Sequence, residues 1–131
     1  MSNTRVVPGP GFRICFDDEP GYLRAYVFDG IDSLEVSLSM WRILTDECEA
    51  TSSKQLLVVE DLHGTVEPAG IAVLVDAVSR RGMSELRVAF VELREDIQSA
   101  ELGEILATER GMTIRAFSQE SDARRWLLYG S

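Results

Sequence analysis

The chain is short of positive charge, of cysteine, of histidine and of long apolar runs, and each shortage excludes something. Thirteen basic residues stand against 22 acidic ones, a formal charge of −9. Nucleic acid and anionic membrane surfaces attract proteins through a basic field, so neither is an expected partner. Arg80/Arg81 and Arg124/Arg125 are the basic doublets, and Lys54 is the single lysine. That bias toward arginine suits a GC-rich bacterial genome. Cys15 and Cys48 form neither a C-x-x-C pair nor a zinc-ligand spacing, and buried free thiols are expected. The opening "MSNTRVVPGPGF" lacks the cationic start and apolar stretch of a secretory signal. No apolar run reaches the roughly 20 residues of a membrane-spanning helix. A cytoplasmic protein without membrane insertion is the expectation.

What is present suits one domain with one ordinary core: 131 residues, 45% of them hydrophobic. Residues 1–11 hold two prolines and two glycines without periodicity, which predicts a flexible or extended arm before a single domain over residues 12–131. "FRICF" and "YLRAYVF", separated by the turn-forming "DDEPG", predict an antiparallel hairpin. Asp32 or Ser33 can cap the next helix, whose apolar face is Leu34, Leu38, Trp41, Leu44 and Cys48. "QLLVV" has no polar alternation and predicts a central strand covered on both faces.

Pro68 fits the first turn of a second helix with Ile71, Leu74, Val75 and Val78 buried and Gly82 as its stop. "LRVAFV" is the next strand. A third helix over 97–109 carries Ile97, Ala100, Ile105 and Leu106, with Gly111 as its stop. "TIRAF" is the last strand, and Ser118 can cap a final helix built on Ala123, Trp126 and Leu127. The predicted fold is α/β, in the order ββαβαβαβα. It has a mostly parallel sheet of about five strands, an N-terminal antiparallel hairpin and four helices.

Candidate chemistry concentrates in "EDLHGTVEPAGIAVLV", between the central strand and the second helix. His63 could serve as a general base beside Glu60 and Asp61, which is the case for a hydrolase or transferase. Against it, Thr65 is the only nearby hydroxyl and has no activating signature. No catalytic residue is therefore assigned. The one histidine and the scattered carboxylates make no metal-ligand pattern, and no cofactor motif stands out. "HGTVEPAG" has two glycines but no basic residue, and Glu67 at the helix start would repel a bound phosphate.

The element order, the loop after the central strand and the C-terminal "IRAFSQESDARRWL" resemble the STAS family, the sulfate-transporter and anti-sigma-factor-antagonist domains. The closest likeness is to its divergent stand-alone bacterial branch, and it covers about residues 12 to 128. In the antagonists the motif reads roughly Asp-Ser-Ser/Ala-Gly-Ile/Leu, and its first serine is phosphorylated by a partner kinase. The matching stretch here is Glu67-Pro68-Ala69-Gly70-Ile71, so Pro68 stands where that serine would be. The resemblance implies a non-enzymatic, protein-binding regulatory module without the usual switch. Its expected partner-binding residues are Glu60, Asp61, His63, Gly64, Thr65, Glu67, Pro68 and Gly70. Gly70 is expected to allow a close backbone approach. The same architecture resembles the CRAL-TRIO lipid-transfer domains, which implies an alternative: a carrier of a small apolar ligand with Met40, Trp41, Met83 and Met112 lining its pocket. A homodimer through the hairpin edge is compatible with each alternative.

Overall fold

The computed structural model describes residues 3–94 and 96–130; Met1 and Ser2 of the expected arm, Glu95 and Ser131 lie outside the described residues. The strands are β1 (Thr4–Gly9), β2 (Phe12–Glu19), β3 (Tyr22–Phe28), β4 (Gln55–Glu60), β5 (Arg87–Glu92) and β6 (Thr113–Phe117). The helices are α1 (Leu34–Ala50), α2 (Pro68–Ser79), α3 (Ile97–Glu109) and α4 (Glu120–Tyr129). All six strands join one sheet in sequence order. From β1 to β3 they pair antiparallel, and from β3 to β6 they pair parallel. The order from β2 onward is the expected ββαβαβαβα, with one more strand in front.

That extra strand corrects the flexible-arm expectation for residues 1–11. Val7 packs against the core, and the Phe12 ring lies where a side chain at Gly9 would have to be. Pro8 is tolerated because β1 is the sheet edge. Arg5 then ties the strand down through ion pairs to Asp18 on β2 and Glu47 on α1. The sheet therefore has six strands instead of about five, and its antiparallel part is a three-stranded meander instead of a hairpin alone.

The pleat sorts the central strands between two apolar layers. Leu56, Val58 and Val88 face the cluster formed with α1, α2 and α3, while Leu57, Val59, Ala89 and Val91 face α4 through Ala123, Trp126 and Leu127. An interior strand contacted from both sides has no solvent face, which is why "QLLVV" carries no polar alternation. Arg24 crosses to Glu120 at 2.7 Å and joins β3 to α4.

Helix starts differ in detail from the sequence-based expectation. Ser33 caps α1 by accepting the Val36 amide at 3.1 Å. The α4 cap position is Gln119, without a side-chain bond, so Ser118 does not cap it. On α3, Ile105 is 57% exposed and the core contacts come from Leu102, Leu106 and Ala107. Helical rotation carries Ile105 off the face that those three share.

Arg5→Ala is expected to lower stability by about 1 kcal/mol, since it breaks two partly buried ion pairs at once. The measurement is the urea midpoint at constant slope; an unchanged midpoint would mean that these pairs add nothing to the hold on β1.

Candidate functional site

In an open parallel sheet, ligand sites form beyond the carboxyl ends of the strands, where loops diverge. At that end of this sheet, two carboxylates are turned inward by the pleat. Residues 56, 58 and 60 of β4 share a face, as do 88, 90 and 92 of β5. Parallel pairing sets Glu60 level with Glu92. Both side chains therefore enter the helix layer beside Val58 and Phe90, and they are only 4% and 6% exposed.

They border a cavity of about 90 Å³ between the sheet and helices α1, α2 and α3. Trp41, Phe90, Met83 and Met112 form apolar wall, with the Trp41 and Phe90 rings stacked at 6.0 Å. Asp32 and Asp96 complete its acidic end. Among the described residues no Lys, Arg or His lines it. Nor do they contain a group of three or more His, Cys, Asp or Glu side chains arranged to hold a metal ion.

Burial, reinforced by Asp32 and Glu92, holds the Glu60 carboxyl well above the usual carboxylate range. Burial also raises Glu92, to about 7, against the opposing hydrogen bond from the Arg94 amide, while Asp96, Asp32 and Asp61 add repulsion. Asp32 accepts from the Ser33 amide at 2.8 Å and the Ser37 hydroxyl at 2.7 Å, and its charge beside Glu60 favours the protonated Glu60 carboxyl. One strand position further on, the pleat reverses the environment. Asp61 points to the other face, where the Tyr26 hydroxyl and Arg94 hold it below the ordinary value.

The expected docking residues thus separate. Glu60 lies beneath the loop, not on it, because the pleat directs it into the cavity. Asp61 is half-buried and engaged by Tyr26 and Arg94. His63, Gly64, Thr65, Glu67 and Pro68 are exposed. The His63 carbonyl accepts the Asp32 amide at 2.6 Å, and His63 forms a parallel bridge with Ile31. Gly64 turns the chain at φ +86°, a conformation that glycine adopts without strain. The Thr65 hydroxyl bonds Asp96. Gly70 is a packing residue: a Cβ there would meet Val66 Cγ1 at 2.7 Å, so the close approach is to a side chain and not to a backbone.

Asp32, Glu92 and Asp96 are cavity residues that sequence reasoning passed over. A signal existed: "QLLVVE" and "RVAFVE" are both interior strands ending in glutamate. For the carrier alternative, Trp41, Met83 and Met112 line the cavity, while Met40 is buried in the core and is not among the lining residues. Comparison with protein-family models, curated proteins and solved structures returned no match.

The raised carboxyls predict a pH dependence. A carboxyl kept protonated in the fold retains a proton that the unfolded chain has released, so its stabilising contribution is full below the ordinary value of 4.5 and is lost as pH rises through its folded value, about 7 for Glu92. Glu60, raised in the same direction, adds to that loss. Glu60→Gln is expected to raise stability at about pH 8 and to change it little at about pH 4. Thermal unfolding of both proteins across that range checks it; a constant difference would contradict the assignment.

Proposed function

We propose that the chain is a non-enzymatic regulatory module of STAS type that docks a protein partner on the loop after β4. The observation that carries this is a preorganised surface. Ile31, 70% exposed, stands beside exposed His63 and Gly64, and the backbone bridge between residues 31 and 63 holds both strand-end loops in place. A rigid loop loses little conformational freedom on binding, and an exposed apolar side chain on it supplies an anchor.

Further support comes from the order of the sheet and the placement of Glu67-Pro68-Ala69-Gly70-Ile71 at the start of α2, as the STAS motif requires. Pro68 offers no hydroxyl for phosphorylation, so docking on this loop is independent of a kinase at that position. Exposed Glu67 favours a partner with an apolar contact flanked by a basic group. Such a partner would be met in the cytoplasm. A second copy of the chain is the alternative occupant.

The carrier alternative draws its support from the cavity. At about 90 Å³ it is well below the roughly 300 Å³ at which ordinary small-molecule pockets begin, which favours a small molecule over a lipid tail. Hydrolysis or group transfer through His63 has less support, since the Thr65 hydroxyl is bonded to Asp96 instead of to the imidazole.

Ile31→Arg should keep the fold and weaken recovery of the partner from a lysate of the source cells by about tenfold or more, the effect of losing roughly 1.4 kcal/mol of binding. Cross-linking and quantitative mass spectrometry of the two proteins read this. Equal recovery by both would remove the Ile31 to Gly64 surface as the docking site.

A further inference from the structure

We propose that the cavity bounded by α1, α2, α3 and the sheet binds a small organic cation, a short-chain alkylammonium. Glu60 and Glu92 take its charged head, and Trp41 and Phe90 contact its apolar body. This site is separate from the docking loop and goes beyond the protein-interaction reading.

Glu60 is the key. Its side chain is buried, it lines the cavity, and among the described residues it receives no hydrogen bond from an amide, a guanidinium or an ammonium. The group that acts on it most strongly is Asp32, itself an acid. Glu92 accepts the Arg94 amide at 3.0 Å through Oε1, and no other bond is made to its carboxylate among the described residues. Arg94, the basic side chain closest in sequence, is engaged at 2.6 Å by Asp61 on the opposite face. Ionising two buried acids without a countercharge is costly, and a cation of the right size relieves that cost.

The walls select the kind of cation. A hard divalent ion needs six or more oxygen ligands, and no metal-holding group occurs among the described residues. Aromatic faces attract an ammonium and also shelter hydrocarbon, which suits an amine with an apolar body. A cavity of about 90 Å³ holds one small organic molecule, below the size that accepts benzene with room to spare.

Binding is linked to protons. An ammonium favours ionised carboxylates, so its entry drives protons from Glu60 and Glu92 into solvent. The other titratable groups facing the site are Asp32 before α1, and Asp96 and Glu104 at and within α3; α2 contributes only apolar side chains. Glu104 is already occupied by the Ala116 amide at 2.6 Å. Every facing charge is negative, and affinity therefore rises with pH across the range in which Glu92 titrates.

The test is isothermal titration calorimetry of the isolated full chain with n-propylammonium and n-butylammonium, each against the alcohol of the same shape. The expected result is one-to-one binding of the ammonium, at least about tenfold tighter than the alcohol, and tighter at about pH 8 than at about pH 6 by a similar factor. Glu60→Gln and Glu92→Gln should each weaken ammonium binding about tenfold or more while the thermal transition stays cooperative. Alcohols that bind as well as ammoniums, glutamine variants that bind unchanged, or no heat with either ammonium would each overturn the proposal. No partner protein takes part, so its failure is distinct from failure of the docking surface.

Discussion

The in-register pairing of β4 with β5 organises this molecule. Because the two strands run parallel and end level, the side chains that share a face with Leu56, Val58 and Val88 terminate in Glu60 and Glu92. The apolar strands make the core, and their final residues carry acid into it. Hydrophobic burial of the strands is strong enough to hold those acids out of water, and the acids respond by holding protons. Cavity, proton affinity and the placement of the overlying loop all follow from this pairing.

The next residue shows how sharply the pleat divides environments. Glu60 is buried among apolar groups and other acids; Asp61 faces the opposite side and meets a hydroxyl and an arginine. Adjacent carboxyls thus have their proton affinities pushed in opposite directions by strand geometry alone. The bridge from Ile31 to His63 joins the two loops that contribute Asp32 and Val66 to the cavity, so the outer surface and the inner site share one support without sharing side chains.

Arginine has a different part here from a nucleic-acid-binding patch. Arg5 links β1 to β2 and α1, Arg24 links β3 to α4, and Arg81 reaches from beyond α2 to Asp46 on α1. Arg87 lies over the Trp126 ring at 3.9 Å and donates to its carbonyl. A guanidinium can engage several acceptors and an aromatic face at once, which fits a chain whose acidic excess offers many partners.

Local periodicity determined a great deal by itself: the three crossover helices, the doubly covered β4, the Gly111 stop after α3 and the inward set on α4 were legible because they depend on neighbours within a few residues. The β1 strand was not, since its prolines and glycines signal an arm until Val7 and Gly9 find β2 across the sheet. Ser118 was misplaced because one-residue shifts at helix ends are set by packing. The candidate loop was visible as a stretch of sequence, yet its division into buried Glu60, packed Gly70 and exposed His63 was not. Nor was the meeting of Glu60 with Glu92, which are 32 residues apart along the chain (92 − 60). Sequence spacing records which residues share an element and a face; only the register between elements decides which faces meet.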